Sequence, residues 1–254
     1  MRMRADFLLI LLWISGSILS ISLAPEEVPS GMETSDDLSQ AVNVLVLILV
    51  VTAITIYLMR KFPSSIRVLY FFAISVGVFL LLSLFLGLDL SISSILSIIV
   101  GILTVRKFNL VLSNTGLLLA LVGISLNLGV MFSIGVLTVL LVLLAIYDVI
   151  AVFWTKHMIY MFEEMRERSG FVPAFLIPIG DDVAGLGGGD LVFPASFFVS
   201  MRMYCGLKCS LLAMFLSLIG LLVTVYLNRY RRGLPAIPGL ASGCILSLIL
   251  KDFI

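Results

Sequence analysis

The sequence predicts an all-α membrane protein, a polytopic bundle of about nine transmembrane helices. Of its 254 residues, 61% are hydrophobic and only 12% are charged, and the mean hydropathy is +1.22. A soluble domain of this size carries about 25% charged residues. With so few charges, most of the exterior must face lipid. The net charge of +1 also excludes a broad basic surface for nucleic acid.

The transmembrane spans are the charge-free apolar runs, since a spanning helix needs about 20 apolar residues, with a range of about 17–25. There are nine such runs, of which the fourth and the last are short: Phe7–Leu23, Ala41–Met59, Val68–Leu88, Leu90–Val105, Phe108–Leu128, Val130–Thr155, Leu186–Tyr204, Cys209–Leu227 and Leu234–Leu250. We expect a single transmembrane domain over residues 1–254, with spans one to six within 7–155, an inner loop at 156–185 and spans seven to nine within 186–250.

The first span has a second interpretation. Met1-Arg2-Met3-Arg4, the apolar run and Ser22-Leu23-Ala24 resemble a cleavable signal peptide. The run is also long enough to cross the membrane, and we favour a retained helix. Both interpretations give the same orientation to everything downstream.

Lysine and arginine placement predicts a multi-pass protein of the cell membrane with a cytoplasmic N-terminus and an external C-terminus. With this orientation the inner segments hold 13 of the 16 basic residues. The outer segments hold the other three, Arg202, Lys208 and Lys251. An error in the span count would scramble this alternation, so the bias supports both the count and the direction. The acidic segment Ala24–Gln40 is interpreted as a solvated external loop.

Two aspartates lie inside apolar spans, Asp148 in the sixth and Asp190 near the start of the seventh. A carboxylate at mid-membrane costs about 2.5–3.5 kcal/mol on insertion scales, so such residues are usually functional. The sixth span runs inward and the seventh runs outward. Both carboxylates therefore fall toward the cytoplasmic side, where adjacent helices can bring them together.

Two neighbouring carboxyl groups hold one proton between them and can catalyse hydrolysis without a metal or a cofactor. The ionised partner takes a proton from water as the water attacks a carbonyl, and the protonated partner donates to the carbonyl oxygen. The residues alone leave two alternatives open. One is a cation or proton pathway through the same carboxylates, and the other is a scaffold that holds transmembrane helices without cutting them.

Other protease chemistries lack their residues in this chain. There is no HExxH, and the single histidine, His157, is interpreted as an ordinary interfacial residue. There is no G-x-S-x-G, and no aspartate is followed by Thr-Gly or Ser-Gly. Cys205 and Cys209 are four apart, which is neither a zinc knuckle nor a CxxC redox pair. We interpret them, with Cys244, as small apolar residues.

Three short motifs lie on the later spans: Tyr147-Asp148 in the sixth, Gly187-Gly188-Gly189-Asp190 in the seventh and Pro235-Ala236-Ile237-Pro238 at the start of the ninth. They resemble the YD, GxGD and PALP signatures of the presenilin and signal peptide peptidase family of nine-helix intramembrane aspartyl proteases. Each motif is weak alone, but their order and their placement on these spans are specific. The motifs occupy the part of the chain from Tyr147 to Pro238, while the span count matches over essentially its whole length.

The resemblance implies that Asp148 and Asp190 are the catalytic pair of an aspartic endopeptidase that cleaves within transmembrane helices of membrane proteins. It also implies that the other motif residues bind substrate: Tyr147, Gly187, Gly188, Gly189, Pro235, Ala236, Ile237 and Pro238. Two positions depart from the family pattern. Ile237 replaces the usual leucine, which is nearly isosteric, and Gly188 replaces a larger apolar residue, which is expected to loosen the site.

The residues of the motifs also have a physical interpretation of their own. Gly187 and Gly189 lack Cβ atoms, which lets another backbone approach the aspartate closely and permits unusual dihedral angles. Pro235 and Pro238 prevent regular helical hydrogen bonding, and unpaired backbone at membrane depth must be buried in protein or line a wet cavity. The alternative for the glycines is a flexible helix start or close helix packing. The alternative for the prolines is a loop-to-helix entry.

The inner loop carries a second candidate substrate contact. The apolar segment Phe171–Ile179 is suited to pair as an extended strand with an unwound substrate, or to serve as a surface connector. Asp181 and Asp182 are interpreted as exposed residues of a polar turn. The sequence leaves open whether the chain forms a homo-oligomer or needs a partner subunit.

Overall fold

The computed structural model describes residues 2–29, 33–62, 65–106, 110–154, 174–179, 182–227 and 235–251. Within these ranges the chain forms nine α-helices and one two-stranded antiparallel sheet. The helices are α1 (Arg2–Leu23), α2 (Ser39–Lys61), α3 (Ser65–Leu80, continued by a short π-helix, Leu81–Phe85), α4 (Leu90–Arg106), α5 (Leu110–Met131), α6 (Ile134–Phe153), α7 (Gly189–Cys205), α8 (Leu207–Leu227) and α9 (Ile237–Leu250). The strands β1 (Ala174–Ile179) and β2 (Asp182–Gly187) lie between α6 and α7.

These helices confirm the predicted polytopic bundle, since each predicted span overlaps one of them. In the described part of the chain, six helices are long and apolar enough to cross a membrane: α1, α2, α3 with its π-helix, α5, α6 and α8. The helices α4 and α9 are shorter and apolar, and α7 has 17 residues. Helix α2 is the least buried of the six long ones.

Two span boundaries differ from the prediction for local reasons. The predicted sixth span, Val130–Thr155, starts too early, because α5 continues to Met131 and α6 begins at Ile134. Ser133 separates them and caps α6, its hydroxyl accepting a hydrogen bond from the Val136 N–H at 3.5 Å. The seventh span was predicted from Leu186, but the chain remains in β2 as far as Gly187.

The core of the bundle lies around α5 and α7, against which α1, α3 and α6 pack. The largest fully buried side chains include Trp13 of α1 and Phe197 and Phe198 of α7. Small hydroxyl groups are also buried between helices, and Ser20 of α1 bonds Ser125 of α5 at 2.9 Å. Large apolar side chains occupy the outer surface instead, as expected where the surrounding solvent is lipid.

Glycines allow two pairs of helices to cross in close contact. A Cβ atom on Gly123 of α5 would overlap the carbonyl oxygen of Gly77 on α3. A Cβ atom on Gly220 of α8 would likewise overlap the carbonyl oxygen of Gly239 on α9. Because the neighbours are backbone atoms, which cannot rotate away, the depth and angle of α9 depend on the absence of a side chain at Gly220.

The turn between α7 and α8 contains a disulfide that the spacing did not indicate. Cys205 and Cys209 are bonded, with their Cα atoms 5.9 Å apart. The interpretation of both as unpaired apolar residues is therefore wrong. Gly206 lies between them with φ +89°, a conformation that favours glycine, and this turn brings the two cysteines together. Cys244 is free and buried, as predicted.

Candidate active site

Asp148 lies on α6, five residues before the last residue of that helix, and its exposed fraction is 3%. The Ile237 N–H donates to Asp148 Oδ2 at 3.2 Å. Ile237 is the first residue of α9, so its N–H has no acceptor within its own helix. The N-terminus of α9 therefore faces the Asp148 carboxylate.

Asp190 is the second residue of α7, with an exposed fraction of 9%. Its Oδ2 accepts a hydrogen bond from the Gly187 N–H at 3.2 Å. A carboxylate in the first turn that reaches back to a preceding N–H resembles one half of a capping box. The positive end of the α7 dipole lies at the same place and favours negative charge there.

The two carboxylates come from different helices but share one site. Asp148 and Asp190 interact electrostatically, and α6 packs directly against α7. Both are buried, and each has one backbone N–H donor and one helix N-terminus beside it. Two such carboxyl groups, with one proton between them, can act as base and acid on a water molecule.

The three glycines before Asp190 have unequal surroundings. A Cβ on Gly187 would lie 3.2 Å from Asp190 Oδ2, which is tight, whereas a Cβ on Gly189 would meet Phe193 at an ordinary 3.5 Å. A Cβ on Gly188 would lie 3.2 Å from Leu121 Cδ2, so Leu121 borders the room left by the missing side chain. The nearest neighbours at Gly187 and Gly189 are thus the side chains of Asp190 and Phe193, and not the second backbone that was predicted.

The segment Pro235–Pro238 places the start of α9 beside Asp148. Pro235 precedes the helix, and Pro238 is its second residue, where a missing N–H costs nothing. Ile237 is buried, while Pro235, Ala236 and Pro238 are half-buried. The glycine crossing of α8 and α9 described above holds this segment at its depth.

Of the other residues singled out in the sequence, one adjoins the pair and several lie outside the described residues. Tyr147 is half-buried and next to Asp148 on α6. His157 and Asp181 lie outside the described residues, as does 171–173 of the predicted strand segment. Asp182 begins β2. No group of three or more His, Cys, Asp or Glu side chains that could hold a metal ion occurs among the described residues.

Two further residues at the site were missed in the sequence. Trp13 Nε1 of α1 donates to the Asp190 carbonyl oxygen at 3.0 Å. Asn114 of α5 holds β1 through both atoms of its amide, donating to Leu176 O at 2.9 Å and accepting from Leu176 N at 3.0 Å. An asparagine inside an apolar span was a visible indication, and so was the proline four residues after Asp190.

The chain is similar to known proteins in family and in fold. The family model described as signal-peptide peptidase, presenilin aspartyl protease matches residues 7–178. A solved structure of a presenilin family intramembrane aspartate protease, in space group C222, is similar with a TM-score of 0.75 and 24% identity, covering 98% of this chain and 99% of that one. A P2 crystal form of such a protease gives a TM-score of 0.70 and 24% identity, with 97% of each chain covered. No curated protein sequence matches.

Proposed function

The chain belongs to the signal-peptide peptidase and presenilin aspartyl protease family, and from this membership we propose that Asp148 and Asp190 are its catalytic pair. Members of this family are multi-pass membrane proteins, and this chain is an intramembrane aspartic endopeptidase. The observation that carries the assignment is the meeting of two buried carboxylates from α6 and α7. Each is oriented by a backbone N–H on its Oδ2 atom.

Hydrolysis by this pair needs only water and a substrate peptide bond. The ionised carboxylate takes a proton from the attacking water, and the protonated one donates its proton to the carbonyl oxygen. The tetrahedral intermediate then breaks down. Its C–N bond breaks, and the amine leaves with a proton that the pair of carboxyl groups returns to the nitrogen. Because Ile237 and Gly187 engage Oδ2 of the two carboxylates, we assign Oδ1 of each to water and substrate.

We propose that the substrate adds as a strand to the outer edge of β2. Leu176 of β1 turns its N–H and C=O toward Asn114, so these groups point away from β2. Leu176 pairs with Gly185. Residues that face each other in an antiparallel pair of strands form either a hydrogen-bonded or a non-hydrogen-bonded pair. In a non-hydrogen-bonded pair, the N–H and C=O of both residues point away from the partner strand. The N–H and C=O of Gly185 therefore point to the outer edge of β2.

The outer edge of β2 runs directly to Asp190. Gly187, two residues after Gly185, has the same backbone orientation and donates its N–H to Asp190 Oδ2. A substrate strand paired along this edge brings its carbonyl groups to the carboxylates. This revises the prediction for the apolar inner segment: its described part, Ala174–Ile179, is a strand, but β2 and Asn114 occupy its two edges.

The remaining motif residues are proposed to bind the same substrate strand. Gly187, Gly188 and Gly189 immediately precede Asp190, and Tyr147 precedes Asp148 on α6. Pro235, Ala236, Ile237 and Pro238 are proposed to bind the strand on the side of Asp148, to which the Ile237 N–H donates. Substrates are proposed to be single transmembrane helices that unwind locally, since a fully hydrogen-bonded helix shields its carbonyl groups.

We retain the proposed orientation with a cytoplasmic N-terminus and an external C-terminus, which rests on the distribution of lysine and arginine. It puts the carboxylate pair toward the cytoplasmic side. Epitope tags at the two termini, tested for antibody access in sealed cells, measure it directly. Access to the N-terminal tag before permeabilisation would reverse the assignment.

The catalytic assignment is tested with Asp148→Ala and Asp190→Ala, made separately. Each is expected to abolish cleavage of a model transmembrane peptide in detergent, a loss of at least about 1,000-fold, because one carboxyl cannot act as both base and acid. Products are measured by mass spectrometry. Asp89→Ala, which removes an exposed carboxylate before α4, is the control and should cleave normally. Substantial turnover by either variant of the pair would refute the assignment.

A further inference from the structure

We propose that Trp13 is a positioning residue for Asp190, because its indole N–H replaces the backbone donor that Pro194 removes from α7. This inference rests on the proposed catalytic role of Asp190. It also assigns α1 to the active protease, since Trp13 belongs to that helix.

The need for a donor follows from the sequence of α7. In an α-helix the carbonyl of residue i accepts from the N–H of residue i+4. The residue four after Asp190 is Pro194, which lies inside the helix and has no N–H. The carbonyl deprived of its partner is therefore that of Asp190 itself. Within a membrane, such a group must find another partner in the protein.

Trp13 meets this need from a distant part of the chain. Its Nε1 donates to Asp190 O at 3.0 Å, and the residue is fully buried, with an exposed fraction of 0%. The indole is held in place by Phe198 of α7, whose ring is 6.0 Å away and nearly perpendicular to it. An indole N–H can only donate a hydrogen bond, so Trp13 is the donor and the Asp190 carbonyl oxygen is the acceptor.

A second contact joins the C-terminal end of α1 to the last turn of α7. The Arg202 guanidinium of α7 donates to the Ile21 carbonyl at the end of α1 and lies 3.8 Å from Glu26. Removal of α1 by cleavage after Ala24 would break both contacts and leave the Asp190 carbonyl without its donor. The geometry therefore favours the retained helix over the cleaved signal peptide.

The consequence for activity is positional. The Asp190 carboxylate accepts a hydrogen bond from the Gly187 N–H, and the Asp190 carbonyl oxygen accepts one from the Trp13 indole. These two hydrogen bonds hold the first turn of α7 from two sides. Without the indole N–H, this turn can shift relative to Asp148, and displacements of about 1 Å can cost 100-fold in rate. Loss of the indole N–H does not alter the outer edge of β2, where the substrate is proposed to bind. The loss should therefore fall on kcat and leave KM nearly unchanged.

The experiment is a double-mutant cycle between Trp13→Phe and Pro194→Ala, read as kcat and KM for a model transmembrane peptide. W13F removes the donor while keeping an aromatic ring, and P194A restores a backbone N–H that reaches the Asp190 carbonyl within α7. We expect W13F to lower kcat about tenfold to 100-fold, and the double variant to recover most of it. Trp154→Phe, at a side chain that is 83% exposed, is the matched control and should match the unsubstituted protein.

A packing role for Trp13 would give no recovery in the double variant, and that result, or an unchanged kcat in W13F, overturns the proposal. If W13F alone does not fold, P194A and W13F/P194A still decide it: equal kcat supports the proposal and a large difference refutes it. Activity in protein lacking α1 would also refute it. Loss of activity in Asp190→Ala together with a failed cycle rejects only this inference, whereas an active Asp190→Ala rejects the catalytic assignment.

Discussion

The two carboxylates are supported by different regions of the molecule. Asp190 lies in a region made of α1, α5, α7 and the β-hairpin, where its neighbours in sequence provide the carboxylate donor and α1 holds its backbone. Asp148 lies in a region made of α6, α8 and α9. Its backbone donor, Ile237, is 89 residues away in sequence. The Asp190 carboxylate is oriented largely by backbone that is close in sequence, whereas the Asp148 carboxylate is oriented by the position of the whole helix α9.

This difference indicates where each carboxylate is vulnerable. The Asp190 region has several independent contacts, so losing one should weaken catalysis by a moderate factor. The Asp148 region depends on the depth of α9, which the glycine crossing with α8 determines. Changes that contact neither carboxylate but displace α9 should therefore have the larger effect.

Among changes that contact neither carboxylate, the largest effect is expected for Gly220→Ala in the Asp148 region. The new Cβ would overlap the Gly239 carbonyl oxygen, a backbone atom, so α8 and α9 must separate. Overpacking of this kind costs about 1–3 kcal/mol of stability. If the Ile237 N–H moves by about 1 Å from Asp148, turnover should fall about 100-fold. Thermal unfolding in detergent and peptide cleavage measure the two consequences.

Gly135→Ala is the matched control for this prediction. Gly135 lies on α6, the helix of Asp148, yet a Cβ there would meet its nearest neighbour, Leu38 Cδ2, at 3.8 Å. The same change in side chain should thus leave stability and turnover nearly intact. Equal losses in the two variants would mean that the crossing of α8 and α9 has no special role.

A smaller effect is expected for Gly187→Ala in the Asp190 region. The Cβ would lie 3.2 Å from Asp190 Oδ2, so the carboxylate must shift by a few tenths of an ångström, which should lower kcat about tenfold. Gly189→Ala adds the same atom at an ordinary 3.5 Å from Phe193 and should lose less. Single-turnover cleavage separates this change from altered binding. A greater loss in Gly189→Ala would contradict the described geometry.

Much of this architecture was predictable because hydropathy and charge act locally along a chain. The nine helices of the described residues follow from apolar runs, and the predicted pair follows from two carboxylates in those runs. The span boundaries were less predictable, since they depend on the Ser133 cap and on strand pairing through Gly187. Both are decided by backbone hydrogen bonds that hydropathy does not record.

Contacts between distant residues were not predictable from one sequence. Trp13 and Asn114 are separated by 177 and 62 residues from the groups they bond. Each is an ordinary residue of an apolar helix until the fold provides its partner. The need for the Trp13 contact, unlike its identity, can be seen in the sequence. Pro194 has no N–H, so the Asp190 carbonyl four residues earlier needs another donor.

The smallest effect is expected for Asn114→Ala, which tests the hairpin rather than the carboxylates. The change removes both hydrogen bonds to Leu176, each worth about 1 kcal/mol. It also exposes the outer edge of β1 as a second edge for a substrate strand. We expect kcat/KM to fall about threefold to tenfold and the cleavage position to spread over neighbouring bonds. Mass spectrometry of the products measures both.

Thr115→Ala is the control on the same helix, because the Thr115 hydroxyl bonds only within α5, to the Val111 carbonyl at 2.8 Å, and is exposed. It should leave the cleavage position unchanged. The position is the decisive measurement, since a merely loosened hairpin slows cleavage without adding new products. A single product from Asn114→Ala, at the bond cut by the unsubstituted protein, would show that the edge of β1 does not compete. The register of cleavage would then depend on the Asp190 end of β2 alone.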